Sequence, residues 1–344
     1  MKKYASKVIT LVIVVVGSFL VVDCGWGLAA GVWFQDVVLT SSVKNPKPIP
    51  AFTIPAKTPG TSYLQFLLMG DPGTGRSGQR DVALAMGKIA AQDSISCALV
   101  LGDNFYPSGV KSVTDEQWEE KFERMYSAPS LQVPFYAVLG NHDYYSNPLA
   151  QVEYTKVSKR WRMPSSYYAF TQNIDDTTSV EFFCLDTTPL DADRAEEKEE
   201  GQDIDAVRDS LQLGWLEQKL QQSTARWKIV AGHHALYSGG IHGDNTGLIA
   251  LLEPDFLKYK VDVYLAAHDH HLEMKKPIKG ILHVVSGAGG THRSVTWKDD
   301  ALYAATNMGF NRIRISAAEI VIEFYDKDGN LKYAYVANKG HYGS

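Results

Sequence analysis

The stretch Ser94–Tyr106, Ser-Ile-Ser-Cys-Ala-Leu-Val-Leu-Gly-Asp-Asn-Phe-Tyr, decides how this chain reads. Its middle, Ala98–Leu101, is a short unbroken apolar run, as expected of a strand buried on both faces. Gly102-Asp103-Asn104-Phe105-Tyr106 then stops the run and sets a carboxylate and a phenol three residues apart. A single Asp after a strand is ordinarily a turn or cap residue, and a single His ordinarily satisfies a local hydrogen bond. Here the arrangement recurs. Leu64–Met69 runs into Asp71, and Phe135–Leu139 runs into Gly140-Asn141-His142-Asp143. Lys228–Ala231 leads to Gly232-His233-His234, and Val261–Ala267 leads to His268-Asp269-His270-His271. Ligands of layered α/β proteins collect at the carboxyl ends of strands, and five such loops are hard to attribute to turns.

Between these runs the periodicity switches to helical, over Gln79–Gln92, Asp115–Tyr126, Ser210–Gln221 and Gly247–Tyr259, with further strands at Val180–Leu185 and Ile281–Val285. Apolar runs separated by helices define an α/β layered domain. The tail from Gly309 to Val336 alternates apolar residues (Ile313, Ile315; Ile320, Ile322, Phe324) without a helical stretch, so it reads as antiparallel strands. A mixed sandwich with helices outside is therefore expected, not a doubly wound parallel sheet. Ser286-Gly287-Ala288-Gly289 ends a strand with small residues, which suits close backbone packing beneath a site.

Further out, Lys44–Gly60 holds Pro46, Pro48, Pro50, Pro55 and Pro59 and reads as an extended connector. At the amino terminus Lys2, Lys3 and Lys7 precede an uncharged run, Val8–Val22, shorter than the ~20 apolar residues a spanning helix needs. That reads as a secretory signal cleaved before Ala30, with an uncleaved membrane anchor as the alternative. The expected organisation is 1–29 signal peptide or anchor, 30–60 Pro-rich linker and 61–344 catalytic domain, with the protein exported. A net charge of −5 gives no footing for a nucleic-acid backbone. Cys24, Cys97 and Cys184 are too few and scattered for a disulfide framework or zinc ribbon.

Taken together, Asp71, GDNFY at 102–106, GNHD at 140–143, GHH at 232–234 and AHDH at 267–270 resemble the calcineurin-like metallophosphoesterases. Tyr106 narrows the resemblance to the purple acid phosphatases, especially the small tartrate-resistant type, and it covers roughly Tyr63 to the end. It implies a four-layer α/β/β/α sandwich with mixed sheets. It also implies hydrolysis of small phosphate monoesters, with an acidic optimum, by a hydroxide at a dinuclear centre of Fe(III) and a divalent ion (Fe, Zn or Mn). In the family pattern one metal is held by Asp71, Asp103, Tyr106 and His270. The other is held by Asp103, Asn141, His233 and His268, with Asp103 bridging. The residue types agree: phenolate and carboxylates are hard anionic donors suited to Fe(III), while imidazoles and an amide suit a divalent ion. His142 resembles the family's phosphate-contacting histidine. His242, nine residues past His233, has the spacing of the proposed general acid, although a loop histidine in a Gly-rich stretch reads the same way. His234 replaces a tyrosine of the mammalian-type proteins, and either contacts substrate, orients a ligand, or does neither. The acidic segment Pro189–Asp205 matches a loop that covers the site in the mammalian-type enzymes, and an autoinhibitory role is expected of it.

Three other readings compete. Gly70-Asp71-Pro72-Gly73-Thr74-Gly75-Arg76-Ser77 nearly fits a nucleotide phosphate-binding loop, but Arg76 stands where that loop needs lysine. A phosphodiesterase or nucleotide pyrophosphatase would share the fold and metals, against which Tyr106 weighs. A non-catalytic, metal-stabilised binding protein is the third.

Overall fold

The computed structural model describes residues 13–15, 18–20, 41–191 and 206–340. Residues 1–39 and Thr40–Ser344 are separate compact units. In the first, the described part is a pair of antiparallel strands, Ile13–Val15 and Ser18–Leu20, and the rest of the expected signal or anchor lies outside the described residues. Among the described residues no helix is long and apolar enough to cross a membrane.

The second unit is built on two seven-stranded sheets. The first has β1 (Leu64–Met69), β2 (Cys97–Leu101), β3 (Phe135–Val138) and β4 (Trp161–Arg162) in parallel order. The second runs parallel through β6 (Ser179–Cys184), β7 (Trp227–Ala231), β8 (Val263–Ala266) and β10 (Leu282–Ser286). Antiparallel strands complete it: β5 (Tyr168–Asn173) at one edge, β9 (Leu272–Lys275) and β11 (Ala301–Ala305) at the other. The tail supplies β12 (Gly309–Ile315), β13 (Glu319–Asp326) and β14 (Leu331–Asn338), antiparallel as its alternation requires, with β12 paired to β1.

Successive side chains of a strand face opposite ways, and β1 uses both faces. Leu64, Phe66 and Leu68 join Phe182, Ile229 and Leu265 in a core between the sheets. Leu67 and Met69 face outward onto α1 (Ser77–Gln92). Behind the second sheet, α2 (Ala206–Gln222) and α3 (Thr246–Lys258) cover Phe183, Val230 and Tyr264. Helices outside, two mixed sheets inside: this is the α/β/β/α sandwich.

The expected connector is extended and lies within the compact unit Thr40–Ser344. Val43–Lys44 pairs with Val295–Thr296, Lys47 pairs with Asp299, and Arg314 donates to the Pro55 carbonyl, so this segment is packed along the domain. The helix expected over Asp115–Tyr126 is a π-helical turn, Glu119–Glu123, closed by Arg124 N–H to the Glu119 carbonyl at 3.0 Å. The widened turn lets both Trp118, stacked on Tyr154, and Phe122 press against Trp161.

Candidate metal centre

The five polar loops meet at one end of the sandwich. Asp71, Asp103 and Asn141 follow three neighbouring strands of the first sheet, and His233 and His268 follow two neighbouring strands of the second. The turns are sharp: Asp71 (φ 54), Asp103 (φ 50), His268 (φ 70) and His270 (φ 51) all occupy the left-handed region. Non-glycine residues seldom sit there, and they cluster at functional sites where surrounding contacts hold them. The 286–289 segment lies beneath, with Gly289 N–H donating to the Gly70 carbonyl at 2.9 Å.

Tyr106 Oη lies 2.9 Å from Asp71 Oδ1, 2.7 Å from Asp103 Oδ2 and 2.9 Å from His270 Nε2. One phenol hydrogen cannot serve two carboxylates. His233 Nδ1 faces the Leu101 carbonyl at 2.7 Å, an obligate acceptor, so this nitrogen carries the proton and Nε2 presents a lone pair. That lone pair meets Asn141 Oδ1 at 3.1 Å, His268 Nδ1 at 3.1 Å and Asp103 Oδ1 at 3.5 Å. Lone pairs converging in a buried space fit a cation between them.

The electrostatics agree. Asp71 and Asp103 are almost wholly buried. Burial and the Asp103 charge push the Asp71 carboxyl up to about 7. Burial acts on Asp103 too, but hydrogen bonds from the Tyr106 hydroxyl and the His142 N–H help hold that carboxyl below its usual range. The Tyr106 phenol is raised well above its ordinary value by burial and the two carboxylates. Burial and Arg293 bring His270 down to about 3. A cluster so short of positive charge is suited to metal ions. Asp71, Asp103 and His233 offer atoms within 4.8 Å of one another, as do His233, His234 and His268.

His142 sits at the mouth, about a quarter exposed, its Nε2 4.0 Å from Asp103 Oδ2. Its Nδ1 donates to the Pro107 carbonyl at 2.7 Å, which turns Nε2 toward the site. The exposed His242 lies over the ligand candidate His268, ring centroids 4.2 Å apart.

His234, of which a substrate contact, a ligand-orienting role or neither is expected, is 1% exposed with its ring 4.4 Å from that of His268. Thr187 Oγ1 accepts from the His233 and His234 amides at 3.2 and 3.0 Å, so its own hydrogen goes to His234 Nδ1 at 2.8 Å. The proton then sits on His234 Nε2, facing Asp191 Oδ2 at 3.5 Å.

Two buried carboxylates were not singled out from the sequence. Asp143 accepts from Gly140 N–H at 2.9 Å and Asn104 N–H at 3.1 Å, tying two site loops together. Asp269 holds the loop that carries His242. Both lie inside quoted motifs, and the signal was their presence between or beside ligand positions.

Comparison with known proteins agrees with the fold. A model of the calcineurin-like phosphoesterase family matches residues 64–272. The chain is 34% identical to purple acid phosphatase 4 of Arabidopsis thaliana over 290 residues, 80% of this chain and 84% of that protein. It is equally 34% identical to tartrate-resistant acid phosphatase type 5 of Oryctolagus cuniculus over 291 residues, 78% of this chain and 89% of that protein. Among solved structures, GAP50, the anchor in the inner membrane complex of Plasmodium, has a TM-score of 0.73 at 23% identity, covering 81% of this chain and 89% of that one. A purple acid phosphatase from yellow lupin (Lupinus luteus) seeds has a TM-score of 0.61 at 16% identity, covering 82% of this chain and 55% of that one. These two structures bear on the fold alone.

The chain belongs to the calcineurin-like phosphoesterases, in their purple acid phosphatase branch. Such proteins hydrolyse phosphoesters at a dinuclear metal centre. The enzyme is an acid phosphatase, a phosphoric monoester hydrolase.

Proposed function

We propose that the chain hydrolyses small phosphate monoesters, with an acidic optimum, at a pair of metals: Fe(III) and a divalent Fe, Zn or Mn. Asp71, Asp103, Tyr106 and His270 would hold the first, and Asp103, Asn141, His233 and His268 the second. The observation carrying this reading is the arrangement around Tyr106 Oη, where one phenol faces two buried carboxylates and an imidazole within 2.9 Å. An anionic phenolate between them is a hard-donor site suited to a trivalent ion.

When bound, the metal pair supplies polarisation of the phosphoryl group and the nucleophilic water. His142, with Nε2 turned inward, holds a phosphoryl oxygen. His242, exposed above His268, holds a proton at a ring nitrogen and passes it to the leaving alcohol. Asn141 and His233 fix the divalent side, His233 being aimed by its bond to the Leu101 carbonyl. The amino terminus would export the enzyme, leaving it secreted, periplasmic or anchored with the domain outside the cytoplasm. Small monoesters are its partners, with no nucleic acid, in keeping with the net charge of −5.

The test is metal analysis with a visible spectrum on purified protein. A purple or pink band is expected, and Tyr106→Phe bleaches it while the fold survives. An unchanged band in the variant, or a colourless wild type with iron fully loaded and oxidised, rejects the assignment.

A further inference from the structure

We propose that Asp269 is a positioning residue that sets the His242 imidazole over the metal centre, an inference that rests on the general-acid reading of His242. Asp269 lies between His268 and His270 and is 1% exposed. A buried carboxylate needs several hydrogen bonds to offset lost hydration, and Asp269 takes its bonds from one segment, Ser238–His242. Its Oδ1 accepts the His242 N–H at 3.1 Å. Its Oδ2 accepts the Ser238 hydroxyl, and Ser238 Oγ in turn accepts the Gly240 N–H at 2.9 Å. One side chain therefore holds the loop directly at two of its five residues and, through Ser238, at a third.

The glycines take on a different meaning in this light. A Cβ on Gly240 would fall 2.4 Å from Asp269 Cγ, so the glycine admits the carboxylate and does not merely loosen the loop. The neighbouring Gly239 is held independently, its N–H donating to Glu273 Oε2 at 2.9 Å and its carbonyl accepting the Thr296 N–H at 2.7 Å. Glu273 is itself buried and braced by His271 and Lys275 at 3.0 Å each. A loop meant only to cross the surface would not engage two buried carboxylates. Its effect is to park the His242 ring on the His268 ring, at 4.2 Å between centroids, beside the place where a leaving group departs. Proton transfer requires placement within hydrogen-bond reach, and small misplacements are costly.

The experiment compares Asp269→Ala, Asp269→Asn and Ser238→Ala with His242→Ala, each assayed at matched metal content on an alkyl phosphate and on nitrophenyl phosphate. Amide hydrogen exchange over residues 238–242 is followed in parallel. Asp269→Ala is expected to lose about 10- to 100-fold in kcat on the alkyl ester and under about 3-fold on nitrophenyl phosphate, the good leaving group needing little proton donation. Asp269→Asn, which still accepts one N–H, recovers part of the loss, and Asp269→Ala adds nothing in a His242→Ala background. Ser238→Ala, which removes one bond to Asp269 and leaves every residue of the ligand loop in place, reproduces the pattern more weakly, which keeps the test open if Asp269→Ala fails to hold metal. Equal losses on both substrates, additivity with His242→Ala, or unchanged amide protection overturn the proposal. If His242→Ala itself shows no leaving-group split, the general-acid reading fails, and amide protection alone decides whether Asp269 holds the loop.

Discussion

His283 sets a limit on how well an enzyme of this design tolerates acid. It lies on β10, 2% exposed, against Tyr237 and Tyr264, and among the described residues both ring nitrogens are without hydrogen-bond partners. Burial is the main cause that brings it down from 6.5 to about 3, only partly opposed by Glu253. The folded imidazole thus stays neutral while the unfolded one protonates below about 6.5. Its contribution to stability is present above the unfolded value and is lost as pH falls toward the folded one. Between about pH 7 and about pH 4.5 the proton uptake by the unfolded chain costs about 2.5 kcal/mol, at ~1.36 kcal/mol per pH unit once fully engaged. His283→Leu, close in size and uncharged, removes that term. Urea unfolding of wild type and variant at both pH values measures it, because protonation of all other groups cancels in the difference. With a urea slope of about 3 kcal/mol per M, the wild-type midpoint should fall by about 0.8 M more than the variant's on acidification. Equal falls in the two proteins would show that His283 is solvated or paired in solution, and would refute the reasoning.

Other predictions concern the site. Chelation should remove one metal equivalent first, from the Asn141, His233 and His268 side, abolishing activity that Zn or Mn restores; simultaneous loss of both metals would count against this division. Gly102→Ala should lower divalent-metal affinity about 10- to 100-fold, since Gly102 has φ +83 and a Cβ there would lie 2.6 Å from His233 Nδ1; a metal titration with wild-type affinity would refute it. Deleting Arg194–Glu200, in the acidic segment outside the described residues, should raise kcat/KM, more so at low ionic strength where repulsion is less screened; an unchanged or lower value in a folded, metal-replete variant would reduce it to a solvated loop.

The parts of the fold that were legible are those where burial and alternation coincide. β1, β2 and β3 are apolar on both faces because both faces meet a core layer, and β12 to β14 alternate. β9 was not legible, for a physical reason: Leu-Glu-Met-Lys reads as half exposed, yet Glu273 and Lys275 are fully buried, paired with each other and with His271 and Asp300. Pairing at a distance leaves no periodic mark. The packed connector was hidden likewise, because prolines report an extended backbone and say nothing of what it touches. Of the site, residue types at strand ends were legible one by one, and the loops bring all seven expected ligands together. The burial of His234 was not, since a histidine beside a histidine carries no sign of which way its ring faces.

The origin of those seven residues has a consequence for biogenesis. Asp71, Asp103, Tyr106 and Asn141 rise from the first sheet, His233, His268 and His270 from the second, and each proposed metal draws on both. A chain emerging from its amino end has the carboxylates and the phenol long before the histidines are made. Up to residue 232 it holds three of the four proposed ligands of the first metal and two of the four of the second, so completing either site must await the closing of one sheet onto the other. Once loaded, the ions would act as rivets between the sheets, so the metal available where folding finishes would govern how much durable enzyme results.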